Sequence, residues 1–272
     1  MKQPVLFLSH GSPLTALGKD ALSATWSALA ARLDKPTAIL VVSAHWTTHL
    51  PLVTGSAQPE TLHDFGGFPR ELYALRYPAP GAPLLAQAIR QRLADAGFAT
   101  SIDPSRGLDH GAWVPLRTLF PVADVPVLQL SVQAAHGARH HYALGSALAA
   151  LPSENVLIVA SGHMTHNLRD YMQPAAVRPA PQTSDFRDWT HTRLVGGQGD
   201  EFKRLEELLD WPQSAPHALF AHPTPEHFLP LFVALGAAGE GHRTEWLGGG
   251  WIAESLAADN YRFAQLDSRA GH

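Results

Sequence analysis

Four short apolar runs recur along the chain, and each is continuous in its hydrophobicity instead of alternating with polar residues. They cover residues 4–8, 38–43, 125–131 and 155–160 and are rich in Val, Ile and Leu. Continuous apolar runs of this length are typical of strands that are covered on both faces, as in a mostly parallel sheet. The four runs therefore predict a buried central sheet.

The segments between and after these runs carry apolar residues at spacings of three and four, which is the pattern of an amphipathic helix. Because strands and helices alternate, the sequence predicts an α/β architecture with a central mostly parallel β-sheet and helices on both faces. The predicted helices cover residues 22–33, 83–97, 138–151, 184–195, 201–211 and 224–236.

The length of the chain, 272 residues, is near the upper end of what one domain usually holds. We therefore expect a single domain over residues 1–272. Pro and Gly concentrate in residues 51–81 and 172–182. We interpret these two stretches as long loops over the edge of the sheet instead of linkers between domains.

Charge and hydropathy exclude several classes of partner. The formal net charge is -4, so the sequence offers no basic face for nucleic acid. No apolar stretch approaches the roughly 18 to 20 residues that span a bilayer. The apolar run near the N-terminus is interrupted by Ser9, His10 and Gly11 before a signal-peptide core is complete. We expect a cytoplasmic protein that binds a small molecule, with no membrane partner, and the sequence leaves its oligomeric state open.

Histidines follow three of the four apolar runs, in a chain that has 16 His and no Cys. His10 comes after the first run, His45 after the second, and His163 and His166 after the fourth. Ligands in open α/β sheets bind beyond the carboxyl ends of the strands. The histidines are therefore predicted to converge on one crevice and to bind a metal there, although each could instead cap a carbonyl at its strand end.

A further pair of candidate ligands lies near the start of the last predicted helix. Thr224 is predicted to cap this helix, Pro225 to lie in its first turn and Gly236 to end it. Glu226 and His227 would then lie in the first turn, where the helix dipole opposes protonation of an imidazole. Two His ligands and a third N or O donor suit Fe(II) chemistry on oxygen or a hydrolytic zinc, and spacing does not distinguish them.

Six motifs in a fixed order cover nearly the whole chain, and together they resemble one family. They are LSHGSP, VSAHW, HDFGGFPRELYALRYPAPG, GLDHGAWVPL, ASGHMTHNLR and HPTPEHFLPL. Their order and spacing resemble the DODA-type branch of the class III extradiol ring-cleaving dioxygenases, within the LigB-like superfamily, which includes DOPA 4,5-dioxygenases. The resemblance implies one non-haem Fe(II) at the strand ends, although members also take up zinc. It implies cleavage of a DOPA-like or other substituted catechol with O2 to a muconic semialdehyde.

The resemblance also implies roles for individual residues. It makes His10 and His45 the first two metal ligands and His227 the third. Glu226 stays a rival to His227, because more distant relatives use a carboxylate as the third ligand. His166 matches the acid/base histidine of the family.

Other residues are implied near the substrate. His110 matches a second active-site histidine, and the resemblance places the loop with His63 and Asp64 over the pocket, where they are expected to contact the substrate unless they are solvated turn residues. Trp46 is a further expected substrate contact because it is aromatic, although it could equally be a core residue. His163 stands where the family is expected to carry a non-ionisable residue such as Asn, so the sequence leaves open whether His163 or His166 is the acid/base.

Two other functions remain compatible with the same residues. One is a zinc-dependent hydrolase that uses the same His site, with metal-bound hydroxide as nucleophile. The other is a non-catalytic protein that binds a metal or a small ligand. Intact acid/base candidates argue against the second, because a binding protein needs neither His166 nor His110.

Overall fold

The strands of the protein form a large mixed sheet and a separate small ribbon. The computed structural model describes residues 2–172, 179–196 and 200–265. Numbered along the chain, the strands are β1 Val5–Ser9, β2 Ala38–Thr47, β3 Leu52–Thr54, β4 Ser101–Asp103, β5 Val127–Val132, β6 Val156–Gly162, β7 His242–Gly248, β8 Trp251–Ile252, β9 Leu256–Ala257 and β10 Asn260–Gln265. The large sheet has the order β4-β3-β5-β2-β6-β1-β10-β7, and β8 pairs with β9.

Helices fill most of the connections in the described ranges. They are α1 Ala21–Ala30, α2 Arg70–Ala74, α3 Pro83–Asp95, α4 His110–Leu119, α5 Gly137–Ala147, α6 Leu168–Met172, α7 Pro181–Val195, α8 Glu201–Leu209, α9 Trp211–Ser214, α10 Ala218–Ala221 and α11 Leu229–Ala238. Short 3-10 helices cover Pro13–Leu17, Ala134–His136 and Leu151–Glu154. None of the helices in these ranges combines the length and the apolar character needed to cross a membrane.

The centre of the sheet explains the continuous apolar runs. Strands β5, β2, β6 and β1 are parallel neighbours, and they coincide with the four runs. Successive side chains of a strand point to opposite faces: Val5 and Phe7 enter one core, and Leu6 and Leu8 enter the other. Both faces are buried under helices, so the predicted α/β fold with a mostly parallel sheet is confirmed.

The antiparallel edges of the sheet were not predicted from the sequence. Strand β3 runs antiparallel to β5, and β10 runs antiparallel to β1 and β7. Helix α4 was also not predicted. Within the predicted loop 172–182, helix α7 already begins at Pro181, and residues 173–178 lie outside the described residues.

The predicted start of the last helix is wrong. Helix α11 begins at Leu229, with Pro230 in its first turn, and residues 223–228 form a turn before it. Pro230 has no N–H to donate to the carbonyl of Glu226, so the helix does not extend back through this residue. Glu226 and His227 therefore precede the helix, and Thr224 does not cap it.

One buried histidine of α5 is fixed in its neutral form. The Nδ1–H of His141 donates to the carbonyl of Gly137 at 2.6 Å, and its Nε2 accepts the N–H of Gln133 at 3.0 Å. A proton on Nε2 would face this N–H. Burial, above all, lowers the pKa of His141 to about 4.

This pKa predicts acid-sensitive stability. In the unfolded chain the imidazole has a pKa of about 6.5. The stability that the protein gains by burying neutral His141 is therefore complete above that pH and is lost as the pH falls towards 4. Between pH 7.5 and 4.5, we expect the free energy of unfolding of the metal-free wild type to fall by about 2 to 3 kcal/mol more than that of His141→Gln. Urea unfolding at both pH values measures this difference. Equal losses in the two proteins would contradict the assignment.

Candidate active site

Three histidines from distant parts of the chain meet at the carboxyl ends of the central strands. His10 directly follows β1, His45 lies near the end of β2, and His227 lies in the turn before α11. One ring nitrogen from each lies within 4.8 Å of those of the other two. The ring centroids of His10 and His45 are 4.7 Å apart, and those of His45 and His227 are 4.9 Å apart.

An irregularity in β2 places His45 in this group. The strand pairs with β6 as far as Ser43, but its pairing with β5 shifts between Val42 and Thr47. Such irregularities bend a strand and redirect its side chains, and they are frequent beside active sites. The prediction that His45 follows the strand is therefore corrected, because β2 continues through it to Thr47.

The hydrogen bonds of His10 fix its tautomer. The hydroxyl of Ser161 donates to the carbonyl of Gly111 at 2.5 Å, so its oxygen accepts the Nδ1–H of His10 at 3.1 Å. The lone pair of His10 is consequently on Nε2, which lies 3.0 Å from Nε2 of His45. Two nitrogens bound at about 2.1 Å to one cation would have a similar separation.

His227 presents an unpartnered nitrogen to the same place. Its Nδ1–H donates to Oε1 of Glu226 at 3.0 Å, and the hydroxyl of Thr224 donates to the same oxygen. Its Nε2 is buried and has no hydrogen-bond partner among the described residues. A buried acceptor without a partner is unfavourable. A carboxylate behind a histidine is the usual arrangement for a metal-binding imidazole, so these residues fit a divalent metal ion.

The electrostatics of the group also fit a cation. Burial and neighbouring imidazoles lower the pKa of His10 and of His227 well below the usual value. Burial, with the His110 imidazole next in size, lowers the pKa of His45 to about 3. All three rings are therefore neutral near pH 7 and keep lone pairs for coordination. For His227 the cause is burial, which replaces the predicted helix dipole.

His166 lies against the ring of His227. The two rings are stacked, with centroids 3.5 Å apart and planes inclined by 12°. Burial, followed by the imidazole of His163, lowers the pKa of His166 to about 2. The half-buried ring is therefore neutral near pH 7 and lies beside the three histidines.

His163 has a different environment. It is 1% exposed, and its Nε2 lies 3.2 Å from the backbone nitrogen of Gly11. Its own backbone N–H donates to the carbonyl of His227 at 2.8 Å. These contacts hold the segment after β1 and the turn before α11 together.

His110 and Asp64 form a second wall of the site. Oδ1 of Asp64 accepts both the backbone N–H and the Nδ1–H of His110, at 2.9 and 3.0 Å. Burial acts to raise the pKa of Asp64, but these hydrogen bonds and the electrostatic interaction with His110 outweigh it and lower the pKa to about 2. The carboxylate is thus ionised. The ring of His110 lies 3.9 Å from that of His45, centroid to centroid.

His63 and Trp46 lie in the surroundings of the site and are not among the groups whose ligand atoms converge. The Nε2 of His63 lies 3.0 Å from the carbonyl of Leu75 and 3.3 Å from Nη1 of Arg76, and its ring lies near Phe65. Trp46 is buried beneath the guanidinium of Arg106, which is 4.9 Å from the ring centroid. Their roles as substrate contacts stay predictions.

Comparison with known proteins agrees with this geometry. Residues 4–264 match the family described as the catalytic LigB subunit of aromatic ring-opening dioxygenase. The chain is 43% identical to a 4,5-DOPA dioxygenase extradiol of Beta vulgaris, over 94% of this chain and 95% of the relative. It is 40% identical to one of Escherichia coli K12, over 87% and 85%.

A solved structure shares the fold. The crystal structure of an uncharacterized protein, JW3007, from Escherichia coli K12 has a TM-score of 0.79 and 33% sequence identity, and the match covers 96% of this chain and 99% of that one. Together with the matched family, this likeness extends over nearly the whole chain. The chain therefore belongs to the LigB family of aromatic ring-opening dioxygenases.

Proposed function

We propose that this dioxygenase uses non-haem Fe(II), bound by His10, His45 and His227, to cleave a catechol with O2 to a muconic semialdehyde. The observation that carries the proposal is the buried Nε2 of His227, which has no hydrogen-bond partner among the described residues and lies beside two further neutral imidazoles. Zn(II) would fit the same three nitrogens. The absence of nucleic-acid and membrane partners and a cytoplasmic location stay predictions from the sequence.

A DOPA-like catechol is the substrate class that the relatives support. Several are named 4,5-DOPA dioxygenase extradiol, and aromatic rings line the region beside His110. Phe65 lies 5.7 Å from His110 and 6.4 Å from Trp113, measured between ring centroids. The same family membership favours ring opening over the zinc hydrolase and over a non-catalytic binding protein.

The bound ion would supply Lewis acidity that lowers the pKa of the catechol hydroxyls and a site at which the catechol and O2 meet. His166 accepts a hydroxyl proton at its neutral ring and returns it later in the reaction. Asp64 holds the Nδ1–H of His110, which leaves Nε2 of His110 to hydrogen-bond the substrate or the oxygen. Both atoms of O2 enter the product, so the reaction needs no separate reductant.

Glu226 supports His227 in this proposal and does not replace it. Its Oε1 is occupied by two donors, Nδ1 of His227 and the hydroxyl of Thr224. A carboxylate in this position orients the imidazole and increases its basicity. These contacts support nitrogen as the third donor.

An oxygen-electrode assay of the iron-reconstituted protein with substituted catechols, DOPA included, tests the proposal. We expect one O2 to be consumed for each catechol, together with a yellow semialdehyde, and no product under anaerobic conditions. The zinc-loaded protein, assayed in parallel, should not cleave the ring. Product formed without oxygen would reject the proposed reaction, and so would a failure to cleave any of the catechols after iron is restored.

A further inference from the structure

We propose that Asp109 is a positioning residue that holds His45 and His110 against each other. It would thereby set the distance between the proposed metal site and the wall formed by His110 and Asp64. The inference rests on the proposed function, because it takes His45 as a ligand and His110 as a substrate contact. Asp109 does not touch the reacting atoms. It acts through the backbone and side chains that carry these two histidines.

Asp109 is a fully buried carboxylate with four donors. Its Oδ1 accepts the hydroxyl of Ser43 at 2.7 Å and the N–H of Ala112 at 3.2 Å. Its Oδ2 accepts Nε2 of Gln129 at 2.7 Å and the guanidinium of Arg106 at 3.3 Å. The bond to Ala112 caps helix α4, whose first residue is His110. One carboxylate therefore joins the start of α4 to β2 and β5.

The bonds of Asp109 continue to His45 along two routes. The oxygen of Ser43 that donates its hydrogen to Asp109 also accepts the N–H of His45 at 3.2 Å. The guanidinium of Arg106 donates to the carbonyl of His45 at 3.4 Å. Both backbone groups of the ligand residue are thus bonded to partners of the same carboxylate, in the irregular part of β2 where the regular ladder with β5 is interrupted.

The first turn of α4 is also bonded to His10. The carbonyl of Gly111 accepts the hydroxyl of Ser161, which in turn accepts the Nδ1–H of His10. A Cβ atom on Gly111 would lie 2.5 Å from Oγ of Ser43 and 3.1 Å from Cδ2 of His45. The helix start therefore lies against His45 and is bonded to His10 through Ser161, so a shift of Asp109 would move it relative to both proposed ligands.

The variant Asp109→Asn tests this role with little change of shape. Its amide oxygen can still accept from Ser43 and Ala112, but its NH2 group would face the donors of Gln129 and Arg106. We expect kcat to fall about 10- to 100-fold. In Asp109→Asn/Gln129→Glu, the carboxylate of residue 129 can accept the new NH2 group and the backbone N–H of residue 109. We expect this double variant to recover kcat to within a few-fold of the wild type.

A spectroscopic measurement separates a positioning role from a general loss of stability. The visible absorption of the Co(II)-substituted protein reports the geometry of the ligand nitrogens without turnover. We expect its bands to shift in Asp109→Asn and to return in the double variant. Gln3→Ala is the matched control, because it removes a buried hydrogen bond to Asn155 at the amino end of β1. It should lower stability without changing the Co(II) spectrum.

The outcomes distinguish this inference from the proposed function. A wild-type spectrum and kcat in folded Asp109→Asn would overturn the positioning role, and so would a loss that the second substitution does not reverse. If Asp109→Asn does not fold, Ser43→Ala provides the test, since it removes only the hydroxyl between Asp109 and His45. An unchanged spectrum and kcat would then overturn the role. A wild-type protein that cleaves no catechol would reject the proposed function, while the Co(II) spectra would still test the positioning.

Discussion

Replacement of His227 by alanine is expected to abolish both metal retention and ring cleavage. The buried Nε2 of His227 has no hydrogen-bond partner in the described part of the chain, and it is the donor that completes the group formed by His10 and His45. Removing it leaves two nitrogens, so we expect iron affinity to fall by more than about 100-fold. Metal content after gel filtration, together with competition against a chelator, measures the loss. His10→Ala and His45→Ala should behave in the same way.

Glu226→Gln is the matched control for the third ligand. The carboxylate bonds to Nδ1 of His227, so its amide should keep the imidazole in place less well. We expect the ion to be retained with an affinity about 10- to 100-fold weaker. If His227→Ala kept its iron while Glu226→Gln lost it, the carboxylate would be the ligand and the assignment of His227 would be wrong.

His166→Ala should produce the opposite separation of effects, with metal retained and turnover lost. The ring of His166 stacks on His227, but its nitrogens are not part of the group formed by His10, His45 and His227. Loss of a general acid/base typically lowers the rate about 100- to 10,000-fold. Steady-state kinetics at wild-type iron content measure this effect, and added imidazole should restore part of the rate.

His163→Asn decides which of the two neighbouring histidines transfers protons. The ring of His163 is buried against Gly11, so this substitution should lower stability more than turnover. A His163→Asn protein that folds, binds iron and has lost turnover would contradict the assignment of His166, especially if His166→Ala kept a normal rate.

The parallel centre of the fold was predictable because burial on both faces of the sheet produces continuous apolar runs in the sequence. Strands covered by helices on both faces need apolar side chains at every position, and Val5 to Leu8 supply the two cores alternately. The convergence of His10 and His45 followed from the same fact, since parallel strands end at one edge of the sheet. The antiparallel strands β7 and β10 were missed because their burial is mixed, which gives no continuous run.

The environment of the histidines was less accessible to sequence reasoning. A Thr-Pro-Glu-His segment resembles a helix start, but Pro230 moves the start to Leu229, so the neutrality of His227 has another cause. Asp109 stands in the motif GLDHGAWVPL, but no role was predicted for it. Its bonds to Ser43 and Gln129 join segments 66 and 20 residues away, and no local pattern reports such contacts. The motif GLDHG was the only available signal.

The close approach at Gly111 has a consequence for how such an enzyme acquires new substrates. A methyl group at residue 111 would collide with Ser43 and lie close to the ring of His45, so we expect substitutions here to displace a proposed metal ligand. The loop that carries Phe65 is bonded to the start of α4 through Asp64 and His110, and the ring of Phe65 lies near His110 and Trp113. We therefore expect changes in the accepted ring substituents to arise at Phe65. Selectivity should therefore change more readily by substitution of Phe65 than by substitution of Gly111.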